Sequence, residues 1–186
     1  MGDEDKRKWV LKLTVLGDAA VGKTSLIKKY ITGAFEMDYH PTLGVDITLK
    51  DIFLETLNSE VRLVLWDIAG QEKYELTRKM FFQGCAGALF VYDKTRYSTF
   101  ENINARWLED FKKYGKPDGI YLLLGNKSDL TNSIKVSSEE GESLSKEINA
   151  LEFIETSAKY GENVEKAFRT LIFSVLKKNG VNIDLT

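Results

Sequence analysis

The sequence predicts an α/β fold. The expected form is a three-layer, doubly wound domain with a six-stranded, mostly parallel sheet, one antiparallel strand and about five helices. Three observations carry this expectation. Apolar strand-like runs alternate with helical patterns along the 186 residues. Two of the runs, residues 86–92 and 120–125, are continuously apolar, as strands covered on both faces must be. A glycine-rich segment, Gly17-Asp18-Ala19-Ala20-Val21-Gly22-Lys23-Thr24, falls between the first strand pattern and the first helix pattern.

In chain order, residues 10–16 are the first strand, ending at the glycine loop. Residues 23–31 follow as a helix with Leu26, Ile27, Tyr30 and Ile31 on one side. Residues 45–50 and 61–66 alternate in polarity on either side of Asn58-Ser59, which predicts a hairpin and supplies the antiparallel strand. The buried strands at 86–92 and 120–125 flank a segment in which Phe100, Ile103, Trp107, Leu108, Phe111 and Tyr114 recur at helical spacing. A shorter helix around Leu144 and Ile148 leads into a strand at Phe153-Ile154. Residues 162–178 close the chain as a helix, with Val164, Phe168, Leu171, Ile172, Val175 and Leu176 in a 3.6-residue stripe. The aromatic residues in these stripes are read as core.

Size and composition narrow the function classes. The chain is most simply one domain at 9–178, with a charged extension at 1–8 and a short tail at 179–186. A net charge of −2 provides no global basic field for a polyanion such as nucleic acid. The single cysteine, Cys85, cannot form an internal disulfide, fits a reducing compartment and reads as a buried small hydrophobe. No apolar stretch approaches the roughly 20 residues that span a bilayer. The charged start is not a secretory signal, and Lys6 stands where myristoylation wants Ser or Thr. No cysteine near the end can carry a prenyl group, so the expected location is cytoplasmic, with any membrane association through partners or a missing lipidated tail.

The motifs carry the chemistry. The loop matches G-x-x-x-x-G-K-[ST], in which backbone N–H groups and the helix dipole converge on phosphate oxygens. Lys23 would reach the β- and γ-phosphates and Thr24 would ligate Mg²⁺, with Ser25 completing the set. Asp67 ends an apolar strand, and its expected role is an indirect contact to Mg²⁺, such as one through water. In Trp66-Asp67-Ile68-Ala69-Gly70-Gln71-Glu72, Gly70 can bring its N–H to the γ-phosphate and Gln71 can orient the attacking water. Asn126-Lys127-Ser128-Asp129 follows a buried strand. Asp129 can accept from N1–H and the exocyclic amine of guanine, and adenine would leave it unpaired. Lys127 lays its stem along the base and Asn126 braces neighbouring loops. Thr156-Ser157-Ala158-Lys159 places the Ala158 N–H for the guanine O6, and Phe35 can cover the base edge-on, with core packing as the competing reading for Phe35. Together these give the P-loop NTPase (small G-protein) form of the doubly wound fold.

In order and spacing these motifs resemble the Ras superfamily of small GTPases, from about residue 10 to 178, and most closely the Rab branch. Thr42-Leu43-Gly44-Val45-Asp46 is similar to the Rab T-I-G-V-D segment, and residues 66–72 to W-D-T-A-G-Q-E. The resemblance implies a first switch in which Thr42 contacts Mg²⁺ and the γ-phosphate only in the GTP state, while Tyr39 closes over the phosphates. His40, the only histidine, is then a solvated switch residue. It implies Mg²⁺ and GTP/GDP as ligands, a monomer, and effector, exchange-factor and GTPase-activating proteins that bind the loops at about 35–46 and 70–84. It also implies a place in membrane trafficking. Departures fall on partner-choosing surfaces: Ile47 replaces the usual phenylalanine, Lys73-Tyr74 the usual Arg-Phe, and Phe81-Phe82-Gln83-Gly84 the usual Y-Y-R-G.

The expected reaction is phosphoryl transfer from GTP to water, slow alone and faster with a partner's arginine. Catalysis would rest on Gln71, Lys23 and Thr42. Ala19, where Ras has glycine, would crowd Gln71 or the incoming arginine. Two rival readings compete with this one: a P-loop kinase, for which residues 126–129 would have no purpose, and a nucleotide-binding module that does not hydrolyse.

Overall fold

The computed structural model describes residues 8–35, 42, 44–55, 58–69 and 81–182. Six strands form one sheet: β1 (Lys8–Leu16), β2 (Val45–Leu54), β3 (Ser59–Ile68), β4 (Gly87–Asp93), β5 (Ile120–Asn126) and β6 (Phe153–Thr156). Their order is β2-β3-β1-β4-β5-β6, with β2 antiparallel to β3 and every other pair parallel. About five helices are expected; four lie wholly within the described residues, and Phe81-Phe82 are helical as well. The four are α1 (Lys23–Thr32), α2 (residues 97–114), α3 (Ser138–Glu147) and α4 (Val164–Lys178). A 3₁₀ turn lies at Thr131–Ser133.

The two-residue alternation of the strands divides the apolar side chains between two faces. Leu11, Leu13 and Val15 of β1, Leu89 and Val91 of β4, and Leu122 and Leu124 of β5 pack with α1 and α4. Leu16, Phe90, Tyr92 and Leu123 face the other way, onto Trp107 and Phe111 of α2 and Leu144 of α3. Every residue of β4 is buried, as its unbroken apolar run requires. On the first face, Tyr30 of α1 stacks on Phe168 of α4 with ring centroids 4.1 Å apart.

The hairpin is longer than expected: β2 and β3 pair in full register from Val45↔Ile68 to Leu54↔Ser59. β2 lies at the sheet edge, so its outward residues Ile47, Leu49 and Phe53 remain exposed. Helix α2 also departs from the simple expectation. It is α-helical over Tyr97–Asn102, widens to i→i+5 turns over Ile103–Leu108, and is α-helical again over Glu109–Tyr114. Ile103, Trp107 and Phe111 stay in the core throughout, so a stripe of apolar residues gives no warning of the wide turn.

β1 sits where the sheet reverses direction of growth, with β3 on one side and β4 on the other. Ligand clefts in such sheets lie outside the carboxyl ends of the strands at this point, and the glycine loop leaves β1 there.

Candidate active site

The loop between β1 and α1 is shaped by backbone conformations that side chains oppose. Gly17 has φ 148°, and a Cβ there would lie 2.1 Å from the Val91 carbonyl oxygen. Gly22 has φ 100° as the cap of α1, and a Cβ would meet Asn126 Nδ2 at 2.3 Å. Ala20 holds φ 62° without being glycine, a cost that proteins concentrate at functional loops. No side chain caps the first turn of α1, which also lacks an acidic residue. Its N–H groups therefore remain directed at an anion position.

Lys23 folds back over the loop, donating from Nζ to the carbonyl oxygens of Gly17 at 2.8 Å and Asp18 at 2.7 Å. Burial lowers its ammonium to a pKa of about 8, against the upward pull of Asp67 and Asp18. Beside it, three side chains from three segments bring oxygens together. Thr24 Oγ1 donates to Asp67 Oδ2, Thr42 Oγ1 lies 3.0 Å from Thr24 Oγ1, and Thr42 Oγ1 lies 3.3 Å from Asp67 Oδ2. Asp67 Oδ1 is buried and has no hydrogen-bond partner among the described residues. Burial raises the Asp67 pKa, while Thr24, Lys23 and Thr42 pull it down. An all-oxygen donor set with an unpartnered buried carboxylate oxygen fits a hard cation such as Mg²⁺.

On the other side of the loop, Asn126 ends β5 at 1% exposure. Its Nδ2 donates to the Val21 carbonyl at 2.8 Å. Its Oδ1 accepts from Thr156 Oγ1 at 3.1 Å and from the Ala158 N–H at 3.3 Å. Asp129 Oδ1 accepts from Ser157 Oγ at 2.7 Å. Lys127 holds a left-handed φ of 67° and its Nζ pairs with Asp93 Oδ2 at 2.7 Å. Lys159 is exposed, with Nζ 5.0 Å from the Tyr160 ring centroid. Ser25 is half-buried in the first turn of α1. Phe35 is partly buried against the α1–α4 core cluster. Tyr39, His40, Gly70 and Gln71 lie outside the described residues.

Four residues join this site that motif reading passes over. Asp93, 1% exposed, holds Lys127 and also accepts from Arg96 Nε at 3.0 Å. Arg96 Nη2 donates to the Ala19 carbonyl at 2.8 Å. Asn102 Nδ2 and Trp107 Nε1 donate to the two oxygens of Asp18, at 2.7 and 2.8 Å. The only signal available for Trp107 was that a buried indole N–H needs an acceptor.

Comparison with known proteins matches the Ras family model over residues 12–177. The chain is 36% identical over 177 residues to the GTP-binding protein ypt3 of Schizosaccharomyces pombe, covering 95% of this chain and 81% of that protein. It is 38% identical over 184 residues to the Ras-related protein Rab11D of Lotus japonicus, covering 96% and 81%. It is 37% identical over 169 residues to the Ras-related protein RABA6b of Arabidopsis thaliana, covering 91% and 72%.

Proposed function

This chain belongs to the Ras family, and on that premise we propose that it is a GTP-hydrolysing molecular switch whose GTP state recruits effector proteins. The carrying observation is Asn126, which ties the phosphate loop at Val21 to the Thr156–Ala158 loop. A phosphate grip and a guanine-reading carboxylate thus belong to one site. The name of ypt3 states that it binds GTP, in keeping with this reading.

The left-handed glycines and the uncapped start of α1 cradle the phosphates, with Lys23 on the β- and γ-oxygens. Val21, Ala20, Ala19 and Asp18 contribute backbone to the cradle. Asp129, held by Ser157, accepts from the guanine edge. Lys127 and Phe35 flank the base, and the Ala158 N–H meets its O6. Thr24, Thr42 and Asp67 would hold Mg²⁺, which when bound offsets negative charge on the phosphate oxygens. Gln71 orients water for in-line attack on the γ-phosphorus, and the bond to the β–γ bridging oxygen breaks to leave GDP and phosphate.

Hydrolysis is slow without a partner, because Arg96 is engaged by Asp93 and the Ala19 carbonyl and is not aimed at the γ-phosphate. An arginine supplied in trans accelerates such reactions by roughly 10³–10⁵. Thr42 reaches Asp67 and Thr24 from a separate segment, so losing the γ-phosphate releases that segment and Gly70. Effectors read the loops at about 35–46 and 70–84, the first of which leads in sequence into β2 with its exposed Ile47, Leu49 and Phe53. The similarity to Rab proteins supports work on intracellular membranes. No described helix is long and apolar enough to cross one.

Single-turnover hydrolysis of GTP by wild type and Gln71→Leu tests the reading. Wild type should turn over measurably and the variant should not. Equal, negligible rates would leave a nucleotide-binding module without hydrolysis, and preference for ATP over GTP in displacement of bound fluorescent nucleotide would favour a kinase.

A further inference from the structure

We propose that the wide turn at Ile103–Leu108 is a clamp on the phosphate loop, with Asn102 and Trp107 as positioning residues that slow nucleotide release by holding Asp18. The inference rests on the nucleotide reading above. Asp18 is the second residue of the loop, and its backbone carbonyl is already one of the two that Lys23 grips. A carboxylate at that position is an acceptor beside a site that must hold several negative phosphate oxygens. If it swung toward them it would repel them, because like charges a few ångströms apart in a partly buried site interact strongly. Instead both its oxygens face α2. Asn102 Nδ2 donates to Oδ2 at 2.7 Å and Trp107 Nε1 to Oδ1 at 2.8 Å, one neutral donor for each oxygen.

The helix geometry is what permits this. At 3.6 residues per turn, side chains five apart diverge by about 140° around an α-helix and cannot meet on one small group. Turns closed by i→i+5 bonds bring residues five apart onto the same side. The i→i+5 segment begins immediately after Asn102 and includes Trp107. Such widened turns recur at functional positions. The next loop residue is held by the residue that precedes α2, since Arg96 donates to the Ala19 carbonyl at 2.8 Å. The strap therefore acts on two successive loop residues whose backbone leads directly into the cradle. Trp107 is fully buried and Asn102 half-buried, so the donors are fixed by the core rather than by flexible surface chains.

The test is release of a fluorescent GDP from the full chain in Mg²⁺, chased with excess unlabelled GDP. Asn102→Ala removes one donor to a charged acceptor and should speed release about tenfold. Asn102→Asp sets a carboxylate against Asp18 and should speed it by about thirtyfold or more. The swap Asp18→Asn/Asn102→Asp exchanges donor and acceptor while leaving Trp107 an oxygen to donate to, and should return release to within about threefold of wild type. Thermal melts at saturating GDP report folding separately. Variants that melt lower but release GDP at the wild-type rate, or a swap that fails to rescue, would overturn the clamp. Failure of wild type to bind GDP would overturn the nucleotide reading itself, and the clamp with it. Trp107→Phe, which risks the core, is a confirming variant only; its expected effect is release about tenfold faster.

Discussion

Replacing Asn126 with alanine tests whether the proposed phosphate grip and the proposed base-reading loop function as one object. The side chain makes three hydrogen bonds, to the Val21 carbonyl, the Thr156 hydroxyl and the Ala158 N–H. Val21 and Thr156 are fully buried and Ala158 is 5% exposed, so water cannot readily replace the lost partner. A buried hydrogen bond lost in this way costs about 1 to 1.5 kcal/mol, and three put the total at about 3 to 4 kcal/mol. Expressed in binding, that is roughly a 100- to 1,000-fold weaker GDP affinity. Thr156→Val removes only one of the three and should cost about tenfold. Calorimetric titration with GDP and Mg²⁺, beside a thermal melt of each variant, measures both terms. Affinity of Asn126→Ala within fivefold of wild type would refute the idea that this amide organises the site.

Three further outcomes follow from the same geometry. Gly22→Ala forces a Cβ into a left-handed cap 2.3 Å from Asn126 Nδ2, and should lower the melting midpoint of the GDP complex by about 5–10 °C; an unchanged midpoint would contradict the strain argument. Burial pushes the Asp93 carboxyl up, but hydrogen bonds from Lys127 and Thr95 outweigh it and hold its pKa below the ordinary value. Its contribution to stability is therefore present above about pH 4 and lost as pH falls. Urea midpoints of wild type should drop on acidification through that range, and those of Asp93→Asn should drop less. Burial raises the Cys85 thiol from its ordinary 9 to about 11, so iodoacetamide at pH 8 should spare the native chain and modify it in urea. Between those values the unfolded thiol ionises first, so this group makes stability fall as pH rises from 9 to 11, measurable as a loss absent in Cys85→Ala.

Much of the site was legible because its chemistry is local in sequence. The cradle is eight consecutive residues, and Asp67, Asn126 and Asp129 each stand where a carboxylate or amide breaks from an apolar strand. Alternation likewise placed the hairpin, and unbroken apolar runs placed the buried strands. What escaped is what the chain assembles over distance. Asp18 lies 84 positions from Asn102 and 89 from Trp107, and neither contact leaves a trace in local spacing. Trp107 was assigned to the core, which is true of its ring but not of its N–H. Asp93 lies just past the apolar run at 86–92, where nothing in the local pattern marks it, yet it anchors Lys127 and Arg96 together. The widened turn was hidden because one extra residue per turn keeps the apolar stripe on the core.

The division of the apolar interior by the sheet also governs how the chain can fold as it is made. The face of β1 bearing Leu11, Leu13 and Val15 is covered by Leu171, Ile172 and Val175 of α4, near the other end of the chain. At about 5–20 residues per second, synthesis reaches α4 on the order of ten to thirty seconds after β1. Throughout that interval only α1 can cover that face of the first strand, and β2 offers a long unpaired edge with exposed Ile47, Leu49 and Phe53. A nascent chain that ends before residue 164 therefore leaves exposed the part of that face that α4 covers.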